Sequence, residues 1–411
     1  MRVLLITQWY KPIKGAVKRM ARMADHLAET GHDVTVLTGF PSKPTGILPP
    51  QYHWKLWANE SDGKVKILRT YEFPTPNEGV IKRLLNYFSF MVSASIACLA
   101  LPRYDTVIVS SPSFFAGIPG LIASAIYKAK FFFDVRDLWP DSAVDMGMAK
   151  NGSLVIKIME FFERLYYRKA ARITTATPAI RRHIVSEGVA EEKVSLLLNS
   201  TNTDFFKPQK INRGDYKFGE DDFIACYAGS LSSIQDLDTI IGTANILKKQ
   251  AKIKFLFVGE GEEKQKLILK TRKLKLNNCI FLPQQEPSEV VRLINLSNIG
   301  IVPILNTKIF QEAIPSKSCE YFACGKPVIA STTGELKKII EENCVGEIYR
   351  GGDSKDAARA ILMLFRNPKI NEMSLNARKL AIKTFSDQIF FRSFDQVLGL
   401  VSAKSYKKLR K

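Results

Sequence analysis

The sequence is poor in the residues of metal and thiol chemistry. It has 4 histidines and 6 cysteines in 411 residues. No CxxC pair occurs and no histidine stands at ligand spacing from a cysteine, which argues against a metal or disulfide framework and for buried free thiols in a reducing compartment. No DxD-like metal site is seen either. At Met1 there is no charged stretch followed by an apolar core and a cleavage site, so no secretory leader is expected and the chain should stay in the cytosol. The longest apolar run, 87–101, stops short of the roughly 20 residues that cross a bilayer and contains serines, so a buried or interfacial helix is expected there. Low-complexity tracts and solenoid-period repeats are missing. So are the RNP, zinc-finger and helix-turn-helix signatures of a nucleic-acid-binding protein. No GxGxxG follows the first strand, which weakens a nicotinamide oxidoreductase.

What is present is size, apolar content and positive charge. The length favours two domains of about 200 residues each, and 46% apolar residues can fill two cores. Lys and Arg outnumber Asp and Glu by 60 to 40, a formal charge of +20. Such an excess points to a polyanionic partner: nucleic acid, anionic lipid or a phosphorylated substrate.

Short β-branched runs alternate with longer helical patterns. Strand-like 3–7, helical 20–32 ending at Gly31, and strand-like 34–38 form one βαβ signature. The order recurs with strands at 106–110, 131–135 and 173–177 and helices at 117–129 and 153–170. It restarts with strands at 223–229, 254–259, 279–283 and 299–304 and helices at 238–250 and 263–274. The expected fold is α/β, with two Rossmann-like doubly wound domains facing each other across a ligand cleft. The expected boundaries are a first domain 1–198, a polar linker 199–215, a second domain 216–385, and a closing amphipathic helix and basic tail 386–411 that returns to the first domain.

Four motifs identify a family. They are WYKPIKGAVKRMARMADHLAETGHDVTVLT (9–38), LNSTNTDFFKP (198–208), FVGEGEEKQKL (257–267) and EAIPSKSCEYFACGKPVIAS (312–331), the last with Glu312 and Glu320 at E-x7-E spacing. Together they resemble the family-four retaining glycosyltransferases of the GT-B fold over nearly the whole chain. TGFPSKPTG (38–46) and VRDLWPDS (135–142) resemble a subgroup that includes N-acetyl-L-fucosamine transferases of bacterial surface polysaccharide synthesis. The resemblance implies a nucleotide-sugar donor, UDP-linked, and a glycan or polyprenyl-diphosphate-linked acceptor at the inner, anionic face of the cytoplasmic membrane. It implies no metal, no cofactor and no nucleic acid. The rivals are a GT-B nucleotide-sugar epimerase, whose His and carboxylate cluster has no place here, and a basic nucleic-acid-binding protein.

Pro315 suits the first turn of a helix, so Ser316, Lys317 and Glu320 lie at a helix start whose N–H groups can hold a diphosphate. Lys317 adds a cation there, and Glu320 one turn on can accept from ribose hydroxyls. By resemblance Glu312 faces the donor sugar. The turn from Ser230 and Leu231 to Ser233 offers further N–H groups. The family's Arg and Lys at this turn are replaced by Ser230 and Gln235. Gly259, Glu260 and Gly261 form a turn explicable by backbone geometry alone. Phe281 and Pro283 end a strand near the expected base, or belong to plain core. In the first domain Gly15 keeps the backbone freedom of the family's glycine loop. Where many members of the family have a histidine near the transferred sugar stand Asp134, Arg136 and Asp137, candidate catalytic groups or a structural ion pair. Basic and aromatic residues in 82–101 and 163–172 suggest a membrane-facing surface.

Overall fold

The computed structural model describes residues 1–13, 18–43, 45–76, 79–111, 113–145, 149–216, 218–305, 307 and 311–400. Its contacts divide the chain into Met1–Leu197 with the chain from Ser393 onward, and Leu198–Arg392.

The first unit is built on β1 (Arg2–Ile6), β2 (Asp33–Gly39), β3 (Trp57–Asp62), β4 (Val65–Thr70), β5 (Thr106–Ser110), β6 (Lys130–Val135), β7 (Arg172–Thr175) and β8 (Val194–Leu196). They form one sheet in the order β3-β4-β2-β1-β5-β6-β7-β8. Every neighbouring pair is parallel except β3 with β4. Between the strands run α1 (Lys18–Glu29), α2 (Val80–Ala100), α3 (Gly117–Tyr127), α4 (Asp141–Asp145), α5 (Leu154–Lys169) and α6 (Pro178–Ser186). The inner strands are largely apolar and buried, as strands covered on both faces tend to be. The β3–β4 hairpin was not expected: its first strand reads WANESD, too polar to show a period. Gly63 at φ 59° starts its tight turn, a conformation that favours glycine.

The second unit repeats the plan with β9 (Phe223–Ala228), β10 (Ile253–Val258), β11 (Cys279–Leu282), β12 (Ile299–Val302), β13 (Val328–Ala330) and β14 (Gly346–Ile348), in the order β11-β10-β9-β12-β13-β14. All its pairs are parallel. Its helices are α7 (Leu237–Ile246), α8 (Lys264–Lys273), α9 (Pro287–Leu296), α10 (Ser316–Ala323), α11 (Glu335–Asn343), α12 (Ser354–Phe365) and α13 (Ile370–Leu380), followed by α14 (Asp387–Leu398). Part of the expected linker is packed onto this unit: Phe206 is buried, and Asn295 bonds Gln209 N and Lys207 O. Arg378 donates to the carbonyls of Thr203, Phe206 and Ala323.

Two local expectations need correcting. Helix α2 begins at Val80, before the apolar run, and Ile81–Ala100 is by length and composition apolar enough to cross a membrane. Asn86, Phe90, Ala94 and Cys98, four residues apart, are all fully buried on one face. The opposite face leaves Ile81, Leu85, Phe88, Val92, Ile96 and Leu99 exposed. Of the cysteines, all free, Cys98, Cys226, Cys319 and Cys324 are buried, but Cys279 is half-buried and Cys344 exposed.

Candidate active site

In an open parallel sheet, ligands bind beyond the carboxyl ends of the strands where the strand order reverses. In the second unit that place lies between β9 and β12. Three loops converge around it.

The first loop follows β9. Tyr227, buried at the strand's end, donates its hydroxyl proton to Ser230 O at 2.5 Å. The second follows β10 and is laid against the first: Gly229 N donates to Val258 O, Leu231 N to Glu260 O and Glu263 N to Leu231 O. A Cβ on Gly259 would lie 2.0 Å from Gly229 O, and one on Gly261 2.2 Å from Leu231 O. The two glycines therefore serve close backbone approach between loops. The N–H groups of Leu231 and Ser233 are spent inside the protein, the latter on Glu262 Oε1 at 2.9 Å, and the Leu231 side chain lies in the core. Leu231 is thereby corrected from donor contact to packing residue. Glu260 is an exposed residue whose carboxylate is tied to Lys264 at 2.6 Å. Phe281 stacks on Phe257 with centroids 4.7 Å apart, and Pro283 follows it at the surface.

The third element is α10. Pro315 stands at its N-cap, and no side chain caps it. Ser316 is exposed, and Lys317 is the second helical residue. Its Nζ donates to Gln235 Oε1 at 2.8 Å and to Tyr227 Oη at 3.1 Å, and lies 4.2 Å from the Tyr227 ring centroid. Burial pushes its pKa down to about 7, opposed by the Glu320 carboxylate. A cation at the positive end of a helix is unfavourable in itself. An ammonium placed there, partly desolvated and with no carboxylate salt-bridged to it among the described residues, suits an arriving anion. Glu320 follows one turn later, half-buried, and Glu312 lies half-buried before the helix.

Gln311, which sequence reasoning missed, braces the loop that carries Glu312. Its Nε2 donates to the carbonyls of Leu305 and Ser331, and its Oε1 accepts from Thr333 N at 2.6 Å. In the sequence Gln235 stands only as a lost positive charge; in the structure it is the acceptor that aims Lys317.

In the first unit the reversal lies between β1 and β5. Asp134, at the end of β6, is buried. Its carboxylate accepts from Arg19 Nε (3.0 Å) and Nη2 (2.8 Å), Ser110 Oγ (3.0 Å) and Thr174 Oγ1 (2.7 Å). Burial alone would raise its pKa, but the Arg19 guanidinium and these bonds hold it below the usual carboxylate range. With both oxygens saturated, Asp134 is a structural anchor and no longer a catalytic candidate. Its partner Arg19 lies 115 residues away in sequence, beyond the reach of motif reading. Arg136 and Asp137 direct their main-chain N–H groups at Ser111 Oγ (2.9 and 3.5 Å). Arg136 is half-buried and Asp137 exposed. Gly15 lies outside the described residues. The aromatics of 163–172 are core, with Tyr166 and Tyr167 buried; the exposed apolar residues of α5 are Leu154, Val155, Ile158 and Phe161 at its start.

A second polar knot sits after β1. Gln8 Nε2 donates to Glu72 Oε2 (3.1 Å) and Asn86 Oδ1 (2.8 Å), its Oε1 accepts from Ser113, and Ser42 donates to Glu72 Oε1 (3.0 Å). Burial raises the Glu72 pKa to about 7 against these bonds. Among the described residues no group of three or more His, Cys, Asp or Glu could hold a metal ion.

Comparison with known proteins agrees in both halves. Residues 14–200 match the glycosyl transferase 4-like domain and residues 208–381 the glycosyl transferases group 1. WcaI of Escherichia coli, described as a glycosyl transferase of colanic acid biosynthesis, is 24% identical over 83% of this chain and 86% of its own. Among solved structures, sucrose-phosphate synthase of Thermosynechococcus elongatus superposes with a TM-score of 0.73 at 17% identity, covering 99% of this chain and 98% of the other. HepE of Anabaena, solved with UDP, gives 0.69 at 16% identity over 98% of this chain and 100% of its own. With two doubly wound units, an anion-ready helix start in the second, and family matches that together span most of its length, the chain belongs to the glycosyltransferases of the GT-B fold.

Proposed function

We propose that the protein transfers a sugar, of the N-acetylated amino-sugar class, from a UDP-linked donor to a polyprenyl-diphosphate-linked glycan in bacterial surface polysaccharide synthesis, with retention at the anomeric carbon. The observation that carries the donor half is Lys317, an ammonium aimed by Gln235 at the N-terminus of α10. The UDP complex of a structural neighbour and the polysaccharide roles in the names of WcaI and of TuaH of Bacillus subtilis support the same reading. In this scheme the N–H groups at the start of α10 and Lys317 hold the diphosphate, Glu320 accepts from the ribose and Glu312 faces the sugar. The bond from C1 to the β-phosphate oxygen breaks as the acceptor oxygen bonds C1 on the same face. The acceptor proton passes to the departing phosphate oxygen. Catalysis then rests on orientation and on stabilising the leaving negative charge, with no metal required. The protein works on the inner membrane face, docking through the exposed apolar side of α2.

Product linkage measured by proton coupling, with EDTA throughout, tests the reading. A retained linkage formed at an undiminished rate is expected; an inverted linkage or a metal requirement overturns it.

A further inference from the structure

The first unit contains a cavity of about 280 Å³ that the transfer chemistry does not use. Leu84 and Tyr87 of α2, Phe115, Trp139, and Val155 and Met159 of α5 form its walls, and the exposed Lys150 stands on its lining. Packed interiors keep few voids larger than a water molecule. This one lies at the carboxyl end of the sheet, beside the reversal of strand order: Phe115 follows β5, Trp139 follows β6, and Trp9, just after β1, packs on Tyr87 with centroids 6.0 Å apart. Tyr87 meets Phe115 and Trp139 at 6.4 Å each, so the wall is a continuous aromatic surface.

The lining selects for hydrocarbon. A sugar or a base must replace its hydrogen bonds to water when it is enclosed. Among the described residues, polar side-chain atoms here come from Tyr87, Trp139, Lys150 and Ser153, and Ser153 already caps α5 by accepting from Ile156 N. Leu84 belongs both to the cavity wall and to the partly exposed apolar surface of α2. A chain lying along that helix can therefore enter the cavity without crossing a polar barrier. Two cations, Lys150 on the lining and Arg83 near Tyr87, stand beside this apolar wall. Arg83 precedes Leu84 and sits one turn before Tyr87; its Nε is enclosed with no hydrogen-bond partner among the described residues. Lys150 is exposed on the lining itself.

Resting on the reading that the acceptor is lipid-linked, we propose that this cavity is the site for the acceptor's lipid carrier. The first isoprenoid units of the carrier fill the aromatic slot, and its diphosphate is held at the rim by Arg83 and Lys150. The occupant is a phosphorylated isoprenoid. An ordinary bilayer phospholipid needs no enclosed slot, since the outer face of α2 already suits it.

Farnesyl diphosphate is the probe, titrated into the full-length protein by calorimetry and by tryptophan fluorescence, with Trp139 in the wall. We expect it to bind at least tenfold more tightly than inorganic diphosphate. Lys150→Glu and Ala143→Phe, the second filling the cavity from a lining position, should each weaken it about tenfold, with apo melting temperatures checked for folding. Equal affinity for farnesyl diphosphate and inorganic diphosphate overturns the proposal. So does an unchanged affinity in a folded Lys150→Glu variant, or quenching by phosphatidylglycerol vesicles but not by farnesyl diphosphate. UDP binding, measured on the same samples, separates the two readings. UDP without farnesyl diphosphate binding removes the slot and leaves the donor site standing, and the reverse result does the opposite.

Discussion

At the scale of single residues, Lys317 has the clearest consequence. Its pKa falls from 10.5 to about 7 in the folded protein, so between those values the unfolded chain holds more protons. Apo stability should therefore rise with pH across that window on this group's account. Ligand binding runs the other way, because only the protonated ammonium attracts a diphosphate. UDP affinity should drop by up to about tenfold per pH unit above pH 7. Lys317→Arg, whose charge does not titrate in this range, should flatten the profile whatever it does to absolute affinity. Calorimetry in buffers of different ionisation enthalpy reads the proton uptake directly; a flat wild-type profile would place the diphosphate elsewhere. Asp134 makes the contrasting case. Removing one partner of a buried, hydrogen-bonded ion pair costs about 3–5 kcal/mol, so Asp134→Ala should appear in chemical denaturation as a large loss of stability. An unaltered denaturation midpoint with activity abolished would restore the carboxylate to a catalytic role. Lys317, Glu312 and Glu320 could be picked out of the sequence because they sit in one contiguous block. Arg19, Gln311 and Gln235 could not, because each acts on a partner brought near only by the fold.

At the scale of elements, legibility followed burial. Strands covered on both faces, such as VLLI within β1 and FIACYA of β9, announce themselves as apolar runs. The edge strand β3 has half its surface in water and carries no such signal. Helix α2 was underread for a related reason. Its N-terminal turn contains Lys82 and Arg83, so an apolar-run reading begins too late, and the two apolar faces, one buried and one open, merge into a single stretch. The open face gives a direct prediction. Phe88→Glu with Ile96→Glu should abolish flotation with anionic vesicles. The apo melting temperature should change little, since both side chains are exposed and surface substitutions usually shift stability by no more than about 0.5 kcal/mol. Flotation that survives the double substitution would show that α2 is not the membrane-facing element.

At the scale of the whole molecule, the alternation of strand and helix, interrupted once and restarted, makes the double Rossmann-like plan readable, and the closing segment is expected to return to the first domain. The first unit includes the chain from Ser393 onward, and His26 of α1 meets Asp395 of α14 at 2.8 Å. A ribosome delivers the chain from its N-terminus at about 5–20 residues per second. The first unit is thus completed by residues made well after it, and must wait, one piece short, while some two hundred intervening residues are synthesised. Premature termination should then harm the early part of the chain. Ending the chain after Arg392 should lower the melting of the first unit and make it the preferred target of proteolysis, while leaving UDP binding in the second. Limited digestion followed by peptide mapping reads this directly; cleavage confined to the second unit would show that the early part closes unaided.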